Sequence, residues 1–459
     1  MSEPSALSLI PPAVVLILAI LLRRPILALV LGAVSGLLLL SPGNSLAGFA
    51  AISLKVMQDE TIGWLILVCG SFGALIALLV RTGGALAFGR AALKLAKGRR
   101  SSLLMTFALG LVIFVDDYLN ALTVGETMKR VTDRFKVSRE MLAYVVDSTA
   151  APICVLVPLS TWAVFFGGLL ESNGIAEAGQ GISVYMQAIP YMIYAWLAVL
   201  LVLLVAVGVV PAIGPMRKAE MLVRHGSAGA MHVGELSAEH NYSISAIEQE
   251  FEQADKADGK LYNFVVPLLM LVGFTLYFDI DIWMGMLTTL ALVVPFYLVQ
   301  GLMPLGEMLE QMTEGFKSML PAIGTVIAAF IFKDVCDQLL LPQFVVESLA
   351  PYMSAQLLPG LVFLAMAVLA FATGSSWGIF AVTIPIVMPL AYSLDANIPL
   401  VIGALLSASA FGSQACFYSD STVLAAQGSG CNLISHALTQ LPYTLIAAGL
   451  AFVGFILIA

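Results

Sequence analysis

The sequence predicts an all-α polytopic membrane protein with about 10 to 12 membrane helices, built as two inverted repeats with re-entrant hairpins and broken helices. Three observations point there. Of 459 residues, 60% are hydrophobic and 11% charged, against roughly a quarter charged in soluble domains; the mean hydropathy is +0.97. Apolar runs near the length that crosses hydrocarbon, about 20 residues, recur along the chain. The two halves also match at a displacement of roughly 256 to 260 residues.

In chain order, residues 7–22, 26–40, 61–80, 184–210, 261–278, 282–300, 318–332 and 442–458 read as spans. The first run ends in Arg23-Arg24-Pro25 rather than a small-residue cleavage site, so it is expected to be retained as a helix. Residues 102–170 and 357–436 are apolar on average but interrupted by Asp, Asn, Ser, Thr, Gly and Pro, which excludes simple spans. The long polar segment 211–260 reads as a solvated cytoplasmic connector between a first repeat, 1–210, and a second, 261–459.

Basic residues set the orientation. Arg23-Arg24, the segment Arg81 to Arg100, Lys129 to Arg139 and Arg217 to Arg224 are expected in the cytoplasm; 41–44, 171–180 and 279–281 are expected outside. The chain therefore leaves the cytoplasm near Ser101 and returns by Lys129, in under about 30 residues, where two full spans need roughly 40. A re-entrant hairpin fits, with its tip near Asp116-Asp117.

Aligning the halves sets 7–22 against 263–278 and the amphipathic piece 47–59 against 303–315. Asp116-Asp117-Tyr118 falls opposite Gly374-Ser375-Ser376, and Asp147-Ser148-Thr149 opposite 407–414. The Arg23-Arg24 turn matches the acidic turn 279–281. Opposite charges put the two turns on opposite faces, which implies inverted topology and a site near the midplane where broken helices meet. That is the plan of a secondary transporter working by alternating access.

An ionised carboxylate in the bilayer costs about 2.5 to 3.5 kcal/mol on insertion scales, so it survives where it faces a cavity and a partner. Asp116, Asp117, Asp147 and Asp420 qualify, each among small or hydroxylated residues. Asp147, Ser148, Thr149, Asp420, Ser421 and Thr422 form the candidate cation- or proton-binding set, because hydroxyls and freed carbonyls supply oxygen ligands. The bland reading is that these residues cap broken helices. For Asp116 and Asp117, capping and substrate contact stand side by side. Asn120, Ser375, Ser376, Trp377, Ser413, Gln414 and Tyr418 complete a candidate substrate-binding set. No metal is expected beyond a possible sodium ion, and no cofactor beyond Na+ or H+ as coupling ion.

Other residues say less. Gly70, Gly73 and Gly83-Gly84 are expected to allow close helix packing rather than to bind anything. His225, His232 and His240 lack ligand spacing, and His436 reads as a core histidine, with a proton relay as the other reading. There is no Walker A sequence. A net charge of -8 without a basic stripe excludes nucleic acid as a partner. Enzyme activity is not expected: an intramembrane aspartyl protease would need a Gly-x-Gly-Asp motif, found around neither Asp147 nor Asp420. A channel would keep its flux on Asp147→Asn; a coupled exchanger would lose coupling.

The stretch IFVDDYLNALTVGETMKRVTDRFKVSREMLAYVVDSTAAPICVLVPLSTW, from Ile113 to Trp162, resembles the hallmark of the NhaC-type sodium/proton antiporter family. GSSWGIFAVTIPIVMPLA and the SDST of Ser419 to Thr422 resemble its second-half motifs. The resemblance implies membership of the wider ion-transporter superfamily: paired re-entrant hairpins, a dimerising scaffold and an elevator-like transport domain in the inner (plasma) membrane of a bacterium. Asp116, Asp117, Asp147 and Asp420 occupy the family's polar positions. One departure matters. Where the family reads Gly-Asp-His-Cys-Ser-Pro, this chain has Gly412-Ser413-Gln414-Ala415-Cys416-Phe417, so a titratable pair is replaced by neutral Ser413-Gln414. Two cargoes therefore stay open, a cation exchanged for protons and a small organic solute such as an amino acid or carboxylate. The expected partners are that small ion or molecule, membrane lipid and a second copy of the chain.

Overall fold

Apolar runs punctuated by Ser, Asn, Asp and Pro fold into helices that begin at those residues. In the computed structural model, which describes residues 4–22, 24–225, 260–349, 354–374 and 378–459, no strand occurs among the described residues. The first half runs α1 Ile10–Leu22, α2 Pro25–Leu40, α3 Ser45–Met57, α4 Glu60–Arg81, α5 Gly84–Leu95, α6 Arg99–Val112 and α7 Asp117–Arg134. It continues with α8 Arg139–Thr149, α9 Ala151–Leu156, α10 Thr161–Ser172, α11 Gly181–Ala188, α12 Ile193–Val207 and α13 Gly214–His225. The second half holds α14 Tyr262–Tyr277, α15 Ile282–Val299, α16 Leu305–Ser318, α17 Leu320–Gln338 and α18 Leu341–Leu349. It ends with α19 Leu358–Thr373, α20 Gly378–Ser393, α21 Ile398–Ala415, α22 Asp420–Ser429 and α23 Leu433–Ile458.

Capping explains where helices start. Asp116, Ser138, Ser160, Asp281, Asn397 and Asn432 each accept the backbone N–H of the residue three positions on, satisfying one of the four donors a helix start leaves orphaned. In hydrocarbon an orphan has no water to turn to, so these short polar side chains decide where a helix can break.

Among the described residues five helical stretches are long and apolar enough to cross a membrane, or seven if two bent pairs each count as one span. Five shorter apolar helices accompany them. The chain is thus a multi-pass membrane protein. Two expected spans differ in detail. The run 184–210 is bent by 55° between Tyr191 and Ile193, where Pro190 supplies no N–H. The last helix begins at Leu433 rather than Pro442; Asn432 starts it, and Pro442 is carried inside, as membrane helices tolerate.

The halves interlock. In the first, α4 packs on α15 and α16; in the second, α17 packs reciprocally on α2 and α3. Gly73 and Gly315 make the α4–α16 crossing possible: a Cβ on either would lie 2.2 Å from the other's carbonyl oxygen, and a Cβ on Gly70 would strike the Phe316 ring. The expected packing role of Gly70 and Gly73 is met. Around the other broken helices, α22 lies against α7 and α8, α12 against α6, α9, α21 and α23, and α19 against α21.

The connector is not wholly solvated. Met216 and Glu220 of α13 are buried, and Glu220 takes the Ser138 hydroxyl at 2.8 Å and the Arg99 guanidinium at 2.6 Å. Its residues 226–259, with His232 and His240, lie outside the described residues, as do Ser375, Ser376 and Trp377.

Candidate functional site

Two of the helices that start at breaks, α7 after 113–116 and α22 after 416–419, pack side by side, and α8 packs on both. The first break is built by two side chains. Asp116 caps α7 through the Leu119 N–H at 2.9 Å and accepts the Thr161 hydroxyl at 3.0 Å. The Asn120 amide donates to the carbonyls of Gly110, Ile113 and Thr149 at 2.8, 2.9 and 2.9 Å, so one side chain satisfies the frayed ends of both α6 and α8. At the second break, Ser419 and Thr422 donate to the Ser413 carbonyl at 2.5 and 2.9 Å.

Asp147, in the last turn of α8, sits beside both with no exposure. Its Oδ1 accepts the Ser421 hydroxyl at 2.6 Å. Its Oδ2 faces Gln440 Nε2 at 2.8 Å, His436 Nε2 at 3.2 Å and Thr422 Oγ1 at 3.4 Å. Gln440 donates also to the Gln414 carbonyl. The Gln414 side chain is held by the Tyr194 hydroxyl at 2.6 Å and itself donates to Ser148 Oγ at 2.5 Å. Beside this centre, Asp420 accepts the Tyr118 hydroxyl at 2.6 Å and the Ser421 N–H at 2.9 Å. Asp117 is buried with neither carboxylate oxygen in a well-formed hydrogen bond; its neighbours are Asp116, Asp420 and the Trp162 indole.

The structure thus brings together Asp147, Ser148, Ser413, Gln414, Ser421 and Thr422, with Asp420, Asp117 and Asp116 following along the same interface. Thr149 turns away, its hydroxyl donating to Val145 and Val146 carbonyls of its own helix at 2.9 and 3.1 Å. Tyr418 points elsewhere: its hydroxyl donates to the Ala372 carbonyl at 2.6 Å and its ring covers Gly374. Asn120 is occupied by backbone, and Asp116 is a cap with a second hydroxyl contact. Three contributors are new to the sequence reading of the site: Gln440 from α23, Tyr118 from α7 and Tyr194 from α12. His436 of α23, read from the sequence as a core histidine or a proton relay, also reaches it.

A helical multi-pass chain whose broken helices close around buried carboxylates and hydroxyls is the architecture of a membrane transporter. The chain belongs to the Na+/H+ antiporter family, whose sequence profile matches residues 153–459. It is similar to an uncharacterised protein of Haemophilus influenzae, with 27% identity over 494 residues, 99% of this chain and 91% of that protein. It is also similar to the malate-2H(+)/Na(+)-lactate antiporter of Bacillus subtilis, with 26% identity over 200 residues; that match spans 41% of this chain and 42% of the relative.

Proposed function

We propose that the protein is a secondary active antiporter of the sodium/proton type in the bacterial inner membrane, in which Asp147 binds the proton and the cation in turn. The observation that carries this is the position of Asp147: fully buried, at the end of a broken helix of one half, and ringed by Ser421, Thr422, His436 and Gln440 of the other. A proton and a cation would occupy the same carboxylate oxygens, so the two ligands exclude each other. Among the described residues no three His, Cys, Asp or Glu side chains converge as ligands of one metal. A sodium ion is therefore read as held by one carboxylate with the Ser421 and Thr422 hydroxyls and freed carbonyls, the oxygen set such ions take in unwound membrane helices. Asp420 and Asp117 continue the polar path from this centre.

The halves are read as inverted repeats, 1–210 and 261–459, joined by a cytoplasmic connector, with α6–α7 as a re-entrant hairpin. One hairpin-bearing domain moves against a scaffold in an elevator-like step, and the scaffold pairs two copies of the chain in lipid. No cofactor is needed beyond the coupling ion.

A second reading keeps the site and changes the cargo to a small carboxylate carried with cations. The malate-2H(+)/Na(+)-lactate antiporter among its relatives and the neutral Ser413-Gln414 pair favour it. Purified protein in proteoliposomes separates the readings. An imposed sodium gradient should move protons, with Asp147→Asn reducing that flux at least about 100-fold. A wild type that moves labelled malate, lactate or amino acids but no protons against sodium would replace the first reading with the second.

A further inference from the structure

We propose that α13, the first helix of the connector, is a strap that keeps the Asp147 centre closed on the connector side, and that the stacked rings of Tyr144 and Tyr443 are the gate it fastens. The inference rests on the reading of the Asp147 centre as the transport site.

Helical spacing puts the gate next to the site. Tyr144 stands one turn before Ser148 on α8, and Tyr443 one turn after Gln440 on α23. Their rings stack with centroids 4.7 Å apart, and both are buried. Ser148 is a neighbour of Tyr144, so the pair forms the layer directly beyond the polar groups around Asp147. The stack belongs to a small apolar cluster that also holds Leu103, Val205 and Met216. Glu220, one turn beyond Met216, leads out to Arg99 and Arg224, whose side chains are 24% and 54% exposed. Solvent begins there.

The strap ties down both helices that carry the gate. It packs on α8 and on α23. Glu220 accepts the Ser138 N–H at 3.0 Å and the Ser138 hydroxyl at 2.8 Å, and Ser138 is the cap of α8. Just before α13, the Ile213 N–H donates to the Tyr443 hydroxyl at 2.9 Å, and that hydroxyl donates to the Pro211 carbonyl at 3.4 Å. One short segment thus grips the start of α8 and the tip of the gate ring on α23.

The grip is built to let go. Among the described residues of α13 only Met216 and Glu220 are buried, four residues apart on one face. A helix held by so little buried apolar surface opens at low cost. Its charged anchor is buried, and a buried ion pair adds little net stability. Glycines flank the segment that joins it to α12: Gly208 ends that helix at a φ of 87°, and Gly214 opens α13 at a φ of 50°. Hinges commonly lie at such element ends. Lifting α13 frees Tyr443 and the start of α8 together, so the rings part and the site opens.

Side-specific labelling of the full-length protein in sealed vesicles of each orientation tests this. The five native cysteines are replaced, Ser148→Cys is the reporter, and the probe is a small impermeant cationic methanethiosulfonate. Arg224→Cys, in a parallel sample, marks the connector side whatever the topology. From that side Tyr443→Phe, which keeps the ring and removes the tether, should speed labelling of the reporter at least about three-fold, as loss of one hydrogen bond allows. Glu220→Gln should do the same, and Tyr443→Ala, which removes the stack, should speed it at least about 10-fold. Rates from the opposite side should stay within about two-fold of the parent, since the hydrogen bond is lost on one side alone. Unchanged rates on the connector side in Tyr443→Phe and Glu220→Gln overturn the proposal; an equal rise from both sides marks general loosening and overturns it too. A wild type that moves no protons against sodium removes the antiport reading alone, because the labelling rates need no transport to be read.

Discussion

Asn120 shows how a single residue can hold a break open. Its amide serves three carbonyls at the ends of two helices, groups that hydrocarbon cannot solvate. Asn120→Ala leaves them buried and unpaired, at about 1 to 3 kcal/mol each. Thermal unfolding in detergent should show a loss of about 3 kcal/mol or more; an unchanged melting temperature would show that other donors already serve these carbonyls. The same residue scale explains what the sequence revealed and what it hid. Asp147, Ser421 and Thr422 were legible because a carboxylate beside hydroxyls in an apolar stretch has few structural excuses. His436 and Gln440 were not. They lie in the first turns of a helix whose start the sequence places at Pro442, since proline ordinarily marks a boundary; Gln440 fell between the expected segments, and His436, at the end of the interrupted stretch 357–436, read as a core histidine or a relay without a partner. With the helix beginning at Leu433, they come onto one face four residues apart and meet Asp147. Thr149 and Tyr418 err the other way: right in type, but bonded to backbone. Composition does not record where a hydroxyl points.

At the scale of the element, the site depends on how closely two short helices cross. A Cβ on Gly428 of α22 would lie 2.5 Å from the Ala121 carbonyl oxygen of α7, and one on Gly125 of α7 would lie 2.6 Å from the Gly428 carbonyl carbon. The two glycines therefore set the spacing that lets the Tyr118 hydroxyl reach Asp420 and carries Ser421 to Asp147. Gly428→Ala forces the helices apart and costs about 1 to 3 kcal/mol as overpacking. Transport should fall at least about 10-fold with a lowered melting temperature, whereas Gly273→Ala, where a Cβ meets nothing within 4 Å, should leave both near wild type. A Gly428→Ala protein with full transport would mean the crossing does not position the site. The sequence displayed the breaks on either side of these helices through their caps, but not the crossing, because contact between helices some 300 residues apart leaves no local pattern.

Across the whole molecule, each half contributes what the other needs. The Lys55–Asp334 pair at 2.5 Å ties α3 to α17, and the Arg81–Glu307 pair at 2.6 Å ties α4 to α16. In the alignment of the halves α3 corresponds to α16 and α4 to α17, so these are the same two helices joined twice, with the charges exchanged. Such exposed pairs add little stability; in the proposed inverted-repeat reading they occupy related positions. Arg99, Ser138 and Glu220, from three segments whose basic residues point to the cytoplasm, meet in one corner, as a common face requires. Asp147 of the first half meets Ser421, Thr422, His436 and Gln440 of the second; the proposed inverted pair of repeats would set that meeting near the midplane. The most direct test is side-specific thiol labelling of single cysteines placed at Arg24 and at Asp279, in a background with the five native cysteines replaced. With the halves inverted, an impermeant reagent reaches residue 24 only from the cytoplasmic side and residue 279 only from the outside; labelling of both from the same side would rule out the inverted topology.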